Sequence, residues 1–277
     1  MKHCNETAVL VQTDIHYGKK THTFNPEVAV QRLKDTFEKV SHITGYLGAA
    51  YRFDELVILM LGDINDGSGI YPTQSHHQAI TNVEQQAEEF AGFYADLLAR
   101  YGKRFPAIRI EAVPGNHGRA GKFAHEAANW DIVTYRYLAQ ECRARNLPVT
   151  LHLGRGSNLF VRTARIRKFD YLLFHGHQVR ASFAGIPSYG LGQRICRWAT
   201  TRKFRRFDMA LCGHFHARFA WHVNRIPISV SGTYVTDDIW SLDELGWESS
   251  NIMPFFGVSD ERPMTWNYDL NVAEDLV

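Results

Sequence analysis

The sequence predicts an α/β (α+β) protein in which two mixed β-sheets pack face to face as a sandwich flanked by helices. Two observations carry this prediction. Strand-like and helix-like segments alternate in the first half of the chain, which implies crossover connections and a largely parallel sheet. Shorter β-like runs follow after about residue 147 and indicate a second sheet, mixed or antiparallel. Because no linker separates the halves, we expect one domain over residues 1–277.

Five short apolar runs of β-forming residues end in polar residues, as buried strands do where they enter a loop. They are Ala8–Gln12, Leu56–Leu61, Ile108–Val113, Tyr171–Phe174 and Met209–Cys212. Segments with apolar positions three to four residues apart predict helices at about 26–50, 76–101 and 123–145. The β-like runs of the second half are Ser157–Val161, Phe219–Val223, Ile226–Val230 and Met264–Leu270.

The composition is that of an ordinary packed protein, with 45% hydrophobic and 22% charged residues, which excludes disorder as the main state. A net charge of only +2 excludes a histone-like excess of positive charge, so a polyanion must be bound by a local basic patch. Four scattered cysteines without a CxxC motif indicate free thiols in a reducing compartment. No signal peptide or long apolar stretch is evident, so we expect a cytoplasmic protein without a membrane partner.

The polar residues after the five strands are expected to share one rim, because functional groups gather at the carboxyl ends of strands in α/β sheets. Carboxylate, imidazole and amide oxygen ligands without cysteine suit manganese, iron, zinc or nickel. Two ions about 3.5–4 Å apart need a large set of ligands. Seven candidates are present: Asp14, His16, Asp63, Asn116, His175, His214 and His216.

These candidates fall into five short motifs in chain order. The motifs are Asp14-Ile15-His16, Gly62-Asp63-Ile64-Asn65-Asp66, Gly115-Asn116-His117, His175 and Gly213-His214-Phe215-His216. This series resembles the DxH, GDxxD, GNH, H and GHxH signature of the calcineurin-like metallophosphoesterases. The resemblance implies a β-sandwich of two mixed sheets and phosphoester hydrolysis by a hydroxide that bridges two divalent ions. Mn²⁺ is favoured over iron, zinc or nickel.

The resemblance also implies a role for each motif residue. One ion goes to Asp14, His16 and His216, the other to Asn116, His175 and His214, with Asp63 bridging them. His117 stands beside the ions and donates a proton to the leaving-group oxygen or stabilises charge there. Asp66 orients a neighbouring imidazole. The alternative for any one of these residues is an ordinary turn or cap residue at a strand end.

Three assignments stay open at this point. His177 competes with His175 for the metal, and we choose His175 because it precedes the glycine of the HGH motif. Arg119 follows Gly118 at a place where many family members carry an acid after GNH. Arg119 either clamps a phosphate oxygen through its planar guanidinium or is a surface arginine. Arg180 has the same two interpretations.

The substrate is decided by loops rather than by the metal centre. Residues 188–207, in an expected insertion at about 180–207, hold the densest basic and aromatic stretch of the chain. It predicts contact with nucleic acid, DNA above all, in single-stranded or frayed form. The contact residues would be Arg194, Arg197, Trp198, Arg202, Lys203, Phe204, Arg205 and Arg206, supported by the basic cluster Arg162, Arg165, Arg167 and Lys168. The alternative is a solvated helix face.

We therefore predict a phosphodiesterase or nuclease. Only about 60 residues follow the GHFH motif, so we expect no additional capping domain. The alternative enzyme is a phosphomonoesterase that acts on nucleotides or phosphoproteins. A non-catalytic binding scaffold is disfavoured because all seven candidate ligands are present.

Overall fold

The computed structural model describes residues 4–72, 74–179, 188–204, 206–238 and 248–273. Eleven strands are found in these ranges. They are β1 Cys4–Gln12, β2 Tyr51–Met60, β3 Ile108–Ala112, β4 Val149–Leu153, β5 Val161–Ile166, β6 Phe169–Phe174, β7 Met209–Cys212, β8 Phe219–Val223, β9 Ile226–Val230, β10 Ile252–Val258 and β11 Asn267–Asn271. The α-helices of the same ranges are α1 Pro26–Leu47, α2 Val83–Tyr101, α3 Trp130–Ala144 and α4 Ser188–Ala199.

The strands form two mixed sheets, which confirms the predicted fold class. The first sheet has the order β11-β10-β1-β2-β3-β4, with β1 to β4 parallel and β10 antiparallel to β1. The second sheet has the order β5-β6-β7-β9-β8, with β6, β7 and β9 parallel. The carboxyl ends of β1, β2, β3, β6 and β7 carry the five motifs.

The central strands read as continuous apolar runs because both of their faces are covered. Alternate residues of β1 belong to different cores, since Ala8 and Leu10 pack with the helices α1, α2 and α3. Val9 and Val11 pack between the two sheets, together with residues such as Leu173 of β6. The outer face of the second sheet is covered by α4 through the buried residues Leu191 and Ile195.

Several predicted boundaries are wrong, for identifiable reasons. The second helix begins at Val83 rather than near 76, because Asn82 caps it by accepting the amides of residues 84 and 85. The third helix begins at Trp130 rather than near 123, because Asn129 caps it there. Residues 156–158 form a 3-10 helix, so most of the strand expected at 157–161 is absent. The run expected at 264–270 lies in β11, which belongs to the first sheet.

Four of the strands and α-helices were not anticipated: β4, β10, α4 as a defined helix, and β5, which begins at the last residue of the expected 157–161 run. The β4 strand is at the edge of its sheet and is only half-buried, so it lacks a strong apolar run. The β10 strand contains Pro254 and Gly257, both of which weaken a strand pattern. In the part of the chain that the structure describes, no helix is long and apolar enough to cross a membrane.

Candidate metal centre

All predicted site residues lie on loops at the carboxyl ends of the strands, where the two sheets meet. They are Asp14 and His16 after β1, Asp63 and Asp66 after β2, Asn116 and His117 after β3, His175 after β6, and His214 and His216 after β7. Backbone hydrogen bonds extend the strand pairing into these loops, as from the Asp14 amide to the Gly62 carbonyl (3.0 Å) and from the Gly213 amide to the His175 carbonyl (2.8 Å). The strand ends therefore fix the positions of the loops.

Five of these residues have a left-handed backbone. Asp14, His16, Asp63, His214 and His216 take φ values of 51°, 49°, 50°, 73° and 50°. Such conformations cost about 1–3 kcal/mol each in residues other than glycine and persist only where the surrounding structure enforces them. The strain is thus concentrated in the DxH, GDxxD and GHxH motifs.

The glycines before Asp63 and Asn116 are required by the close approach of two loops. Gly62 has a φ of 94°, and a Cβ atom added there would overlap the backbone of Gly115. A Cβ atom at Gly115 would overlap the Asp63 carboxylate. The amide of His117 can consequently donate to Asp63 Oδ1 at 2.8 Å.

The first cluster of ligand atoms comprises Asp14, His16 and His216, whose ligand atoms all lie within 4.8 Å of one another. His216 Nε2 is 3.3 Å from Asp14 Oδ1 and 3.2 Å from His16 Nε2. Burial and the neighbouring His117 lower the pKa of His16 to about 4, so its imidazole is neutral. Two imidazole nitrogens and a carboxylate oxygen at this spacing form a suitable cradle for a divalent cation.

The second cluster comprises Asp63, His175 and His214. His175 Nε2 is 2.9 Å from Asp63 Oδ2, while its Nδ1 donates to the Leu61 carbonyl at 2.7 Å, which fixes the ring. Burial opposes the charged form of His175, but the Asp63 and Asp14 carboxylates raise its pKa to about 9. Burial and His175 hold the pKa of His214 well below its ordinary value.

Asp63 lies between the two clusters. It shares one group of candidate ligand atoms with His175 and His214 and another with His16 and His117. Although burial by itself raises the pKa of Asp63, the surrounding imidazoles, led by His175, hold it well below its ordinary value. A carboxylate in this position can face both ions.

The donor set fits divalent ions by a further criterion. Asn116 Oδ1 is a buried atom without a hydrogen-bond partner among the described residues. Buried polar atoms are nearly always satisfied, so such an atom on a predicted ligand needs an explanation. Metal coordination would satisfy it.

Asp66 contacts two imidazoles. Its Oδ1 lies 3.2 Å from His16 Nδ1 and 3.5 Å from His117 Nδ1. Burial opposes the charged form of His117, but the carboxylates of Asp63 and Asp66 raise its pKa. An oriented His117 whose charged form is favoured in this way can donate a proton.

Asp131, in the first turn of α3, is a site residue that sequence reasoning missed. Its Oδ2 accepts the amides of Asp63 (2.9 Å) and Gly115 (2.8 Å), and its Oδ1 accepts those of Ile64 (3.1 Å) and Asn65 (3.2 Å). One carboxylate thus joins the loops after β2 and β3. Burial and the Asp63 carboxylate raise the pKa of Asp131 to about 6, while the amide donors oppose that rise.

Asp131 also fills the space beside Gly118. A Cβ atom at Gly118 would lie 2.5 Å from Asn129 Oδ1 and 3.2 Å from Asp131 Cγ. The Asp131 carboxylate of α3 thus lies beside the position at which many family members carry an acid. The only sequence signal was an acid in the first turn of a helix, which is common.

Two more contacts were missed. Asp238 Oδ2 lies 3.3 Å from His216 Nδ1, and Asp238 Oδ1 accepts from Lys19 Nζ at 3.1 Å. Tyr71 accepts from Asn116 Nδ2 at 2.8 Å through its hydroxyl oxygen, and its ring centroid is 5.0 Å from that of His117. No motif signal marks either residue.

Arg119 is half-buried near the opening of the site. Its positive charge lowers the pKa of both His177 and Tyr71, so it lies close to both. Among the described residues, no hydrogen bond or ion pair of its guanidinium is found. An uncompensated guanidinium here is available to an anion.

His177 lies beside the second cluster, with its ring centroid 5.6 Å from that of His175. Burial and His175 lower its pKa to about 3. The clusters of ligand atoms found in the described chain include His175 and leave out His177. Arg180, the other open residue, lies outside the described residues.

The basic and aromatic stretch is only partly a binding surface. Phe204 is 8% exposed and packs in the core under α4, so the expectation that it stacks on a base is wrong. Trp198 packs edge-on against Phe174 with ring centroids 5.0 Å apart, which leaves its ring only partly accessible. The exposed basic residues are Arg194, Arg197, Arg202, Lys203 and Arg206, whereas Arg205 lies outside the described residues.

The upstream basic cluster is largely neutralised by acids. Ion pairs join Arg162 to Glu111 (2.7 Å), Arg165 to Asp170 (2.7 Å) and Arg167 to Asp54 (2.5 Å). These three arginines therefore contribute little positive potential for a phosphate backbone, contrary to expectation. Arg194, by contrast, donates to the carbonyl of Gln178, next to His177, at 3.0 Å. The basic face of α4 thus begins beside the metal centre.

Comparison with known proteins gives one partial sequence relative and several remote structural likenesses. The DNA polymerase II small subunit of Methanothermobacter thermautotrophicus is 32% identical over 110 residues, which are 38% of this chain and 19% of that protein. The chain thus spans about one fifth of the length of this relative.

Among solved structures, a hypothetical protein of Pyrococcus horikoshii is 10% identical, with 96% of this chain and 88% of that one covered and a TM-score of 0.45. An archaeal phosphodiesterase is 11% identical, with 95% and 99% covered and a TM-score of 0.39. The vacuolar protein sorting 29 protein of Cryptosporidium parvum is 12% identical, with 96% and 98% covered and a TM-score of 0.44.

The family comparison covers the whole of the site. The model of the calcineurin-like phosphoesterases matches residues 7–218, a range that includes every candidate ligand from Asp14 to His216. The chain therefore belongs to the calcineurin-like phosphoesterase family.

Proposed function

We propose that this protein is a dinuclear metallophosphoesterase that hydrolyses phosphodiester bonds of nucleic acid. The observation that carries the proposal is the presence of two neighbouring clusters of candidate ligand atoms. The first contains Asp14, the second contains His175, and Asp63 lies between them. The buried Oδ1 of Asn116, which has no hydrogen-bond partner among the described residues, supports the same assignment. When bound, two divalent ions, in our proposal Mn²⁺, would neutralise phosphate oxygens and make an attacking water acidic.

The residues of the chain divide the remaining work. Asp14, His16 and His216 would hold one ion and Asn116, His175 and His214 the other, while Asp63 faces both. His117 donates a proton to the leaving-group oxygen, and Asp66 keeps its ring oriented through the contact at Nδ1. Arg119 binds a non-bridging phosphate oxygen with the guanidinium that lacks a partner in the described chain.

Nucleic acid is the proposed substrate for two reasons. The exposed cations of α4 and of the segment that follows extend away from Arg194, which is linked to the loop of His177. A phosphate backbone can follow such a row of charges. The partial likeness to a DNA polymerase subunit also favours nucleic acid.

The test is a substrate panel with the metal-loaded protein. Bis(p-nitrophenyl) phosphate, p-nitrophenyl phosphate and labelled single- and double-stranded DNA and RNA are compared in Mn²⁺, with Asp63→Asn as the inactive control. We expect hydrolysis of the diester and of single strands in the parent protein only. Exclusive hydrolysis of the monoester would favour the phosphomonoesterase alternative, and inactivity with every metal would favour a binding scaffold.

A further inference from the structure

Tyr71 is an exposed aromatic residue in contact with the proposed proton donor. Tyr71 is 42% exposed. Its ring centroid lies 5.0 Å from that of His117, at an interplanar angle of 45°. The other large exposed hydrophobic or aromatic residues of the described chain are Tyr46, Phe123, Tyr189 and Tyr268, and none of them has a ring contact with a site residue. Tyr71 is therefore distinguished by its position.

The ring of Tyr71 is held in place rather than free. Its hydroxyl accepts from Asn116 Nδ2 at 2.8 Å, and its amide donates to Gln74 Oε1 at 3.2 Å. Gln74 in turn donates to the Asp66 carbonyl at 2.5 Å. The loop also packs on the segment after GNH, because a Cβ atom at Gly69 would lie 3.0 Å from the Ala120 carbonyl oxygen. An immobilised ring with an accessible surface loses little entropy when it binds a planar group.

The position of Tyr71 relative to the reaction indicates what it binds. If His117 protonates the leaving-group oxygen, then the leaving group emerges beside His117 and reaches Tyr71 next. Arg119, whose charge acts on Tyr71, can hold the phosphate at the same time. Resting on the proposed function, we infer that Tyr71 is the stacking platform for the nucleobase of the leaving nucleoside. The substrate class is then a nucleic acid whose base on the leaving side is unpaired, as in a single strand or a frayed end.

Two variants separate stacking from support of Asn116. Tyr71→Leu removes the aromatic ring and the hydroxyl, whereas Tyr71→Phe keeps the ring and loses only the hydroxyl that accepts from Asn116. Tyr46→Leu is the matched control, since Tyr46 is 81% exposed and lies in the last turn of α1. The control reports any general effect of removing a surface tyrosine.

The substrates are a thymidine dinucleotide and two analogues, each with one abasic sugar, so that either direction of cleavage is covered. We expect the parent to prefer the dinucleotide over the analogue that lacks the leaving base by about 5- to 100-fold, mainly through KM, as stacking of one base implies. Tyr71→Leu should lose this preference, so that its KM values for the dinucleotide and for that analogue become similar. Tyr71→Phe and Tyr46→Leu should keep the preference.

Three outcomes would overturn the inference. In the first, the parent shows no preference for the dinucleotide. In the second, Tyr71→Leu retains that preference. In the third, both Tyr71 variants lose activity equally on all three substrates. The last result would make Tyr71 a positioning residue for Asn116. If the parent hydrolyses no diester at all, the proposed function fails, and the subsite falls with it.

Discussion

At the scale of single residues, Asp131 does more for the site than its place in the sequence suggests. Its two oxygens accept four backbone amides, from the loops after β2 and β3. These loops carry Asp63 and Asn116, whose positions must be set to within a fraction of an ångström for metal binding. Asp131 is therefore a positioning residue for two proposed ligands.

We expect Asp131→Asn to weaken both the fold and the metal centre. An asparagine offers one acceptor oxygen in place of two, so two buried amides lose their partner, each at a cost of about 1–3 kcal/mol. Metal affinity should fall about 10- to 100-fold, as it does when groups that orient ligands are lost. Chemical unfolding and metal titration measure the two effects. Asp96→Asn, on the exposed side of α2, is the control, and equal behaviour of the two variants would contradict this role.

A second residue-scale prediction concerns His117. His117→Gln should keep metal binding and lower the rate of hydrolysis by about 10² to 10⁴, the usual contribution of positioned proton transfer. Esters with poor leaving groups should suffer most, because they depend on protonation. The measurement compares the rates of an activated aryl diester and a natural alkyl diester. Equal losses on both would instead indicate a role in positioning.

The candidate ligands could be proposed from sequence because each follows an apolar strand and falls in a recognisable motif, and the structure brings them close together. Asp131, Asp238 and Tyr71 could not, because their contacts depend on how loops far apart in the chain meet. Asp238 reaches His216 from a segment with no strand-end pattern. Such groups carry no local signature, although they decide how the ligands are oriented.

At the scale of elements, α4 shows why a basic and aromatic stretch is ambiguous in sequence. Its apolar residues, such as Leu191 and Ile195, anchor it on the second sheet, and its cations face outward. The aromatic residues mostly serve the core, as Phe204 does. The charges, the exposed Tyr189 and part of the Trp198 ring remain for a partner.

We expect neutralisation of Arg197, Arg202 and Arg206 to glutamine to weaken binding of single-stranded DNA. The slope of log affinity against log salt should become shallower by about 0.7 for each phosphate that the protein no longer neutralises. Hydrolysis of bis(p-nitrophenyl) phosphate should not change, because this substrate is too small to reach α4. Filter binding at several salt concentrations provides the measurement.

The matched control replaces Arg52, Lys103 and Arg104, exposed cations near the amino ends of β2 and β3. These amino ends lie at the opposite end of the strands from the candidate metal centre. Replacement of the three cations should therefore leave the slope of log affinity against log salt nearly unchanged. If both triple variants bind DNA equally well, the face of α4 is an ordinary solvated surface.

Helix starts were the least predictable elements. Apolar spacing continued upstream of α2 and α3, but Asn82 and Asn129 capped the helices later. Central strands were found with small errors because both of their faces are buried. The half-buried edge strand β4 was missed, whereas the edge strand β8, with the same half-buried pattern, was predicted with its observed bounds.

At the scale of the whole molecule, the candidate metal centre is built from both sheets. Asp14, Asp63 and Asn116 follow strands of the first sheet, whereas His175, His214 and His216 follow strands of the second. Ions bound by both sets would resist separation of the sheets at this end. Without ions, the strained backbone of this region would oppose folding.

We therefore expect Mn²⁺ to raise the thermal midpoint of the protein and a chelator to lower it. Binding to the native state alone stabilises by about 2.7 kcal/mol when the free ion is at 100 times its Kd. Differential scanning calorimetry over a range of Mn²⁺ concentrations checks this. Asp96→Asn should respond like the parent and Asp63→Asn much less. A midpoint that is the same in chelator and in excess Mn²⁺ would contradict a metal link between the sheets.

The contact between Gly118 and Asp131 has a consequence for how such proteins are found and how they evolve. A pattern that demands an acidic residue immediately after GNH misses this chain, although the Asp131 carboxylate lies beside position 118. A Cβ atom at Gly118 would lie 2.5 Å from Asn129 Oδ1 and 3.2 Å from Asp131 Cγ, so a larger residue there would displace both neighbours. A change at position 118 is therefore expected together with changes at positions 129 and 131.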